Sequence, residues 1–194
     1  MTRELRIIKE ARDCKLCDEQ LPLGARPLLT GAASSQVLII GQAPGQAAHK
    51  SGIPWNDRSG DRLRDWLGVT SLQFYDPGFV GLVPIGFCYP GKGRSGDLAP
   101  RSECAPLWHE KIFARMKKIQ LTIYVGQYAF ARYLSAEYGG LSDAVRAFDS
   151  LLPQRIALPH PSPRNQFWLT KNPWFMSEVI PRLRQRVEEF TCSP

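Results

Sequence analysis

The sequence predicts an α/β fold in which helices cover both faces of a parallel sheet. Short, continuous apolar runs alternate along the 194 residues with segments of helical spacing, a pattern typical of parallel sheets. The runs lack the apolar–polar alternation of a sheet with one wet face, so each strand should be buried on both sides. Glycine, proline and polar residues follow where the runs stop, and α/β folds carry their functional loops at those strand ends.

Four apolar runs are strand candidates. Each one stops at a glycine or a proline, the residues that most strongly interrupt regular structure. The second candidate is the weakest, because Pro84 cannot donate a hydrogen bond to a neighbouring strand. In chain order the candidates are residues 36–40, 81–86, 121–126 and 155–158.

Five segments have helical spacing of their apolar residues. The second should be capped by Ser59, and the last should tolerate Pro173 in its first turn and kink at Pro181. Two long loops, residues 41–55 and 89–100, separate these elements. In chain order the helix candidates are residues 5–11, 59–67, about 101–118, 127–134 and about 173–190.

Composition narrows the possible function classes. The net charge of +7 favours a polyanionic partner such as nucleic acid. No apolar run approaches the roughly 20 residues that a membrane span requires, and the first ten residues mix acids and bases, unlike a signal peptide. We therefore expect residues 1–194 to form a single domain of a monomeric, cytoplasmic protein that does not contact membranes.

Four of the five cysteines form a pattern typical of a thiolate-ligated site. Cys14 and Cys17 are a Cys-x-x-Cys pair, and Cys88 and Cys104 flank the second long loop. Four thiolates suit zinc or an iron–sulfur cluster, and spacing alone does not separate the two. Buried thiols without a ligand are the alternative. Cys192 is expected to be a free thiol.

The loop after the first strand carries candidate functional residues. It opens with a tight glycine- and proline-rich turn, where backbone can approach a ligand. An ordinary turn is the alternative. Downstream, Trp55 could stack on a base, Asp57 lies outside the next helix, and Asp61 could serve only the helix dipole. The turn consists of Gly41, Gln42, Ala43, Pro44 and Gly45.

The loop after the fourth strand is the more informative one. His160 ends a buried strand, from which its ring can project into a cleft and assist a leaving group. A purely structural histidine is the alternative. Ser162 can donate to a phosphate, and Arg164 could contact phosphate or fill the gap left by an extruded base. Two prolines keep the loop rigid. It consists of His160, Pro161, Ser162, Pro163, Arg164 and Asn165.

Together these motifs resemble the uracil-DNA glycosylase superfamily. The turn 41–45, the four-cysteine spacing and the loop 160–165 occur in that family's order. They are most similar to its iron–sulfur-containing fourth and fifth families, and the similarity extends from Cys14 to about Arg164. The resemblance implies a three-layer α/β/α sandwich around a central four-stranded parallel sheet. It also implies a [4Fe-4S] cluster, with zinc as the alternative occupant, on Cys14, Cys17, Cys88 and Cys104.

The resemblance further implies a DNA glycosylase for base excision repair. Such an enzyme flips a deaminated base, uracil first among them, out of DNA and hydrolyses its N-glycosidic bond. His160 would stabilise the departing base, and Asp57, or else Asp61, would position water. The implied substrate-binding residues are Gly41, Gln42, Ala43, Pro44, Gly45 and Trp55. The implied DNA-binding residues are Ser162, Pro163, Arg164 and Asn165, with Arg164 where relatives intercalate a side chain.

Three positions depart from the family's pattern. Ala43 stands where the best-known uracil enzymes have Asp or Asn, and Gln42 replaces the Glu usual in the fourth family. Residues 82–87 lack the Asn with which relatives read the edge of uracil, so deaminated purines are alternative substrates. The competing hypotheses are an iron–sulfur relative that binds nucleic acid without catalysis, and a zinc-stapled α/β protein that acts on nucleotides or another small ligand.

Overall fold

A computed structural model describes residues 4–191, and its centre is a four-stranded sheet. The strands, in chain order, are β1 (Val37–Ile40), β2 (Val80–Leu82), β3 (Lys92–Gly93), β4 (Gly96–Asp97), β5 (Leu121–Val125) and β6 (Arg155–Leu158). The central sheet has the order β2-β1-β5-β6 and is parallel throughout, whereas β3 and β4 form a separate antiparallel hairpin. The predicted four-stranded parallel sheet is therefore confirmed.

Helices cover the sheet on both faces. Successive strand residues point to opposite faces, and every residue of β1, β2 and the second half of β5 is buried, which confirms the predicted α/β/α sandwich. Between residues 4 and 191 no helix is long and apolar enough to cross a membrane. The helices are α1 (Arg6–Arg12), α2 (Gln46–Ser51), α3 (Arg58–Leu67), α4 (Ser71–Tyr75), α5 (Cys104–Phe113), α6 (Gln127–Tyr133), α7 (Leu141–Arg146), α8 (Phe148–Leu151), α9 (Gln166–Lys171) and α10 (Ile180–Thr191).

The register of the sheet brings four loops to one edge. Ile39 of β1 pairs with Leu82, the last residue of β2, and Ile40 pairs with Tyr124 of β5. Val125 in turn pairs with Leu158, the last residue of β6. The segments that follow the four strands therefore meet at the carboxyl edge of the sheet, where open α/β folds bind their ligands.

The second strand is shorter than predicted. β2 ends at Leu82, because Pro84 has no N–H with which to continue the ladder. The chain nevertheless stays beside β1, since Ile85 N donates to Gly41 O over 2.9 Å and Gly86 N donates to Gln42 O over 2.8 Å. These bonds hold the turn after β1 against the segment after β2.

The cap of α3 differs from the prediction. Asp57, not Ser59, precedes the first helical residue, in an extended backbone conformation. Its Oδ1 accepts a hydrogen bond from Gly60 N over 2.9 Å. Both residue types make good caps, and the helix begins at Arg58, three residues after Trp55, which has a φ of +58°.

Several other boundaries also differ from the sequence expectations. The helix predicted over about 101–118 covers only Cys104–Phe113. The predicted C-terminal helix is divided into a π-helical turn, Phe175–Val179, and α10; Pro181 lacks the N–H that a continuous α-helix would need there. The loops predicted over 41–55 and 89–100 contain α2 and the β3–β4 hairpin, respectively. Three-residue 3-10 turns occur at Asp18–Gln20 and Pro163–Asn165.

A buried histidine fixes the segment after β2. Nε2 of His109 donates to Pro84 O over 2.9 Å, so Nδ1 accepts from the hydroxyl of Tyr133. The ring also stacks on Phe87, with the centroids 5.8 Å apart. Burial lowers the pKa of His109 to about 4, because the charged imidazolium is poorly solvated there.

The His109→Phe substitution should remove an acid-sensitive part of the stability. A histidine with a lowered folded pKa stabilises the fold above its unfolded pKa of 6.5, and this contribution is lost as the pH falls towards about 4. In the wild type, this effect of His109 should lower the free energy of unfolding at pH 4.5, relative to pH 7, by on the order of 2–3 kcal/mol. The variant should lack this decrease. Urea unfolding at pH 7 and pH 4.5 would measure it. The prediction would be contradicted if the free energy of unfolding fell equally in the wild type and in His109→Phe between pH 7 and pH 4.5.

Candidate active site

A cleft with a volume of about 420 Å³ opens at the carboxyl edge of the sheet. Its walls come from the turn after β1, the start of α3, the β3–β4 hairpin and the loop after β6. The volume lies in the range of small-ligand sites. The cleft brings together most of the residues predicted from the sequence, namely Gly41, Gln42, Ala43, Pro44, Gly45, Trp55, Asp57, His160, Ser162, Arg164 and Asn165.

Trp55 forms one wall of the cleft. Its ring stacks on the imidazole of His160, with the centroids 5.7 Å apart and the planes at 27°. The same ring lies so close to Gly41 that a Cβ there would be 2.6 Å from it. A Cβ on Gly60 would overlap the carbonyl oxygen of Trp55. Trp55 can therefore take this position only because residues 41 and 60 are glycines. Its positive φ is a strained backbone conformation of the kind often found at functional sites.

The two carboxylates predicted for catalysis lie in different places. Asp57 lines the cleft; its Oδ1 caps α3, while Oδ2 would be 3.7 Å from a Cβ on Gly45. Asp61 is not among the residues that line the cleft. Its carboxylate is 73% exposed and pairs with Arg64 at 2.6 Å. Only Asp57 is placed to act on a ligand in the cleft.

His160 is held in a fixed position beside the end of β5. Asn165 Nδ2 donates to the His160 carbonyl over 2.7 Å, which closes the loop on itself. Gly126 has a φ of +83°, and a Cβ there would be 3.3 Å from that of His160. Burial lowers the pKa of His160, and the Asp57 carboxylate acts in the opposite direction. His160 is therefore a neutral imidazole at pH 7.

The rest of this loop is fastened to the hairpin. Ser162 caps the 3-10 turn by accepting from Arg164 N over 3.3 Å. The guanidinium of Arg164 donates to Ser95 O and covers Gly96, where any side chain would collide with it. Arg164 thus bridges two walls of the cleft. Pro163 is exposed and does not line the cleft.

Sequence reasoning missed Asp97, the second carboxylate that lines the cleft beside Asp57. It lies on β4 opposite Lys92, and its Oδ2 would be 3.4 Å from a Cβ on Gly45. Burial and the Asp57 carboxylate raise the pKa of Asp97, while Arg164 and Lys92 lower it. The dipeptide between the two hairpin strands, residues 94–95, is short enough to signal a hairpin, but the sequence contains no signal that the hairpin folds over the cleft.

The family model of the uracil DNA glycosylase superfamily matches residues 29–184. The chain belongs to the uracil DNA glycosylase superfamily. Members of this superfamily are DNA glycosylases, hydrolases that act on DNA. The matched residues include all four strands of the sheet and every residue of the cleft named above. The match begins after Cys14 and Cys17, so it does not bear on the four-cysteine site.

In this glycosylase-family chain the four cysteines converge on one small cavity. Cys14, Cys17, Cys88 and Cys104 all line it, together with Arg101 and apolar neighbours. None of them is in a disulfide. Burial raises the pKa of Cys88 to about 12 and that of Cys104 to about 11, because a thiolate is poorly solvated there. Cys192 lies outside the described residues.

Four thiols around one cavity are the donor set of either a tetrahedral metal ion or an iron–sulfur cluster. Within residues 4–191 no group of three His, Cys, Asp or Glu side chains is already arranged around a single ion. Nε of Arg101 is buried and has no hydrogen-bond partner among the described residues, which leaves a donor available beside the cavity.

The Asp57→Asn substitution should lower the pKa of His160 further. The negative charge of Asp57 favours the imidazolium, so its removal leaves only the effect of burial. The pKa can be followed through the imidazole resonances of His160 in an NMR titration.

Asp61→Asn is the matched control for this titration, because it removes a carboxylate from the same helix but outside the cleft. It should leave the His160 pKa unchanged. Equal His160 pKa values in the Asp57 variant and the wild type would mean that the two groups do not interact.

Proposed function

We propose that the chain hydrolyses the N-glycosidic bond of a deaminated base, uracil first among them, in base excision repair. The observation that carries this proposal is the pairing of a neutral His160 with the Asp57 carboxylate in one cleft. Membership of a superfamily of DNA glycosylases supports it. The base would be flipped out of the DNA stack, because its glycosidic bond is not accessible inside a duplex.

His160 would act on the departing base. The bond between C1′ of the sugar and the base nitrogen breaks, and its electron pair leaves with the base. A neutral imidazole donates a hydrogen bond to the negative charge that develops there, which is electrostatic stabilisation of the transition state. Because Asn165 and Trp55 already hold this histidine, little reorganisation is needed during the reaction.

Asp57 would act on the attacking water. Its Oδ1 is committed to Gly60 N, which leaves Oδ2 to accept a hydrogen bond from water. The water oxygen forms the new bond to C1′, and the carboxylate receives the proton as general base. With Asp57 in this role, the reaction does not require the Asp or Asn that the best-known uracil enzymes have at the position of Ala43.

Positive charge at the mouth of the cleft suits a DNA backbone. Lys92 and Arg94 are exposed on the β3–β4 hairpin, and Arg58 is exposed at the start of α3. These residues would contact phosphates through a salt-dependent interaction. Arg164 and Ser162 line the adjoining wall and are proposed to contact the same backbone.

The His160→Ala substitution should abolish base release. Loss of a stabilising donor of this kind lowers the rate by about 100- to 1,000-fold. Base release would be measured from oligonucleotides that contain uracil, hypoxanthine or xanthine, in single and double strands. Thermal melting would confirm that the variant is folded.

His49→Ala is the matched control for this assay. It removes another imidazole, from α2, that does not line the cleft. Base release should survive in this variant. Tight DNA binding by the wild type without release of any base would instead favour a binding-only relative.

We also propose that Cys14, Cys17, Cys88 and Cys104 hold a [4Fe-4S] cluster. Their common cavity and the free Nε of Arg101 support this assignment, since hydrogen bonds to sulfur are a usual part of such sites. The cluster would supply structural cross-linking. It would join the segment after α1 to both ends of the loop that carries the hairpin, and its binding energy would contribute to folding.

The Cys17→Ala substitution should lower the iron and sulfide content and the melting temperature. One ligand is lost from a site whose binding is coupled to folding. Metal and acid-labile sulfide would be measured in anaerobically purified protein. Cys192→Ser is the control and should keep both values unchanged. Stoichiometric zinc in the wild type would overturn the cluster proposal.

A further inference from the structure

The wall that follows β2 offers the cleft no side chain that can form a hydrogen bond. Leu82 and Pro84 are the residues of this wall that line the cleft. The Pro84 carbonyl is already bound by His109. A base in the cleft must therefore be recognised by side chains from the other walls.

Most polar side chains on those walls are already engaged with one another. Asn165 donates to the carbonyl of His160, Arg164 donates to Ser95 O, and Oδ1 of Asp57 accepts from Gly60 N. The proposed reaction uses the ring of His160 and Oδ2 of Asp57. None of these groups is left for reading the edge of a base.

Four other polar side chains line the cleft, namely the hydroxyls of Ser59 and Ser95, the amide of Gln42 and the carboxylate of Asp97. The Gln42 amide and the Asp97 carboxylate are the strongest donor and acceptor of the four, and neither side chain forms a hydrogen bond with another residue of the described chain. Gln42 lies in the turn after β1, held through its own carbonyl by Gly86 N. Asp97 reaches the same turn from β4, since its Oδ2 lies within contact distance of a Cβ on Gly45. An amide and a carboxylate thus approach the cleft beside one turn.

Their chemistry complements the edge that deamination creates. Deamination of cytosine or adenine replaces an amino group with a keto oxygen and adds a hydrogen to the neighbouring ring nitrogen. An ionised carboxylate only accepts hydrogen bonds, whereas the amide nitrogen of glutamine donates them. Cytosine and adenine would place the bare ring nitrogen, an acceptor, against the carboxylate, and two acceptors cannot form a hydrogen bond with each other. Asp97 is exposed in the free protein, so the cost of this mismatch arises when the bound base covers the carboxylate.

We propose that Asp97 and Gln42 together distinguish uracil from cytosine and hypoxanthine from adenine, with the Asp97 carboxylate accepting the ring N–H and the Gln42 amide donating to the adjacent keto oxygen. This inference rests on the proposed glycosylase function and names how its substrate is chosen. It accounts for the absence of an amide side chain after β2. It also predicts that uracil and hypoxanthine are both accepted, because they share this edge.

The β3–β4 hairpin places Asp97 for this role. Arg164 donates to the Ser95 carbonyl at the tip of the hairpin, and Lys92 lies opposite Asp97 in the register of the two strands. The hairpin therefore has a fixed position relative to the loop that carries His160. A base held between the hairpin and this loop would present its edge to Asp97, while His160 stabilises the negative charge that develops on the departing base.

The test compares Asp97→Leu with Asp97→Asn. Leucine is similar in size to asparagine but cannot form hydrogen bonds, whereas the asparagine oxygen can still accept the ring N–H. Single-turnover release of uracil and hypoxanthine would be measured, together with the Kd for oligonucleotides that contain uracil or cytosine. Asp149→Leu is the control, because it removes an exposed carboxylate that does not line the cleft.

Asp97→Leu should lower kcat/KM for both bases by about 10- to 100-fold and abolish the preference for uracil over cytosine in binding. Asp97→Asn should keep a preference for uracil in binding and have a kcat/KM between those of Asp97→Leu and the wild type, because a neutral oxygen accepts a weaker hydrogen bond than a carboxylate. Asp149→Leu should stay within about threefold of the wild type. Gln42→Glu replaces the amide donor with an acceptor. It should lower kcat/KM for the release of both bases to the same extent as Asp97→Leu.

Three results would overturn the inference. If Asp97→Asn is as inactive as Asp97→Leu while both keep the preference for uracil in binding, the carboxylate acts on water and does not read the base. If Asp97→Leu behaves as the wild type, Asp97 has no part in selection. If the wild type binds uracil- and cytosine-containing oligonucleotides equally, no such selection exists. A wild type that prefers uracil but releases no base would refute the glycosylase function alone.

Discussion

Two backbone hydrogen bonds beyond the end of the sheet determine where the cleft lies. Ile85 and Gly86 donate to the carbonyls of Gly41 and Gln42, so the turn after β1 cannot move away from the segment after β2. Pro84 ends the ladder but leaves this contact intact, and His109 holds its carbonyl from behind. The cleft therefore has a rigid floor, and every polar group around it acts relative to that floor.

Close packing around Trp55 sets the chemistry of the cleft. The ring lies against Gly41 and His160, and the chain leaves Trp55, whose φ is positive, two residues before Asp57 caps α3. One residue thus covers the imidazole and closely precedes the carboxylate. The same burial that keeps His160 neutral also makes it sensitive to the charge of Asp57, because electrostatic interactions are stronger where water is excluded.

The segment between Cys88 and Cys104 connects the cysteine cavity with the cleft. It carries the β3–β4 hairpin, whose Asp97 faces the turn 41–45 and whose tip is bound by Arg164. Both ends of this segment lie at the cavity that the four cysteines share. Anchoring both ends limits the conformational freedom of the hairpin between them. A structural site at the cysteines would thus help to place a side chain of the cleft.

The sequence by itself determined the parallel sheet and the loops at its carboxyl edge, because strands buried on both faces must be continuously apolar and stop at turn residues. It also predicted that His160, Asp57 and the turn 41–45 belong to one site, and these residues line the same cleft. Only the tertiary structure showed that Asp61 turns away to Arg64 and that Asp97 reaches the cleft. Helices as short as α2, α7 and α9 also escaped prediction, because helices of this length depend on packing for their stability. Contacts between residues distant in sequence decide such positions, and no local pattern encodes them.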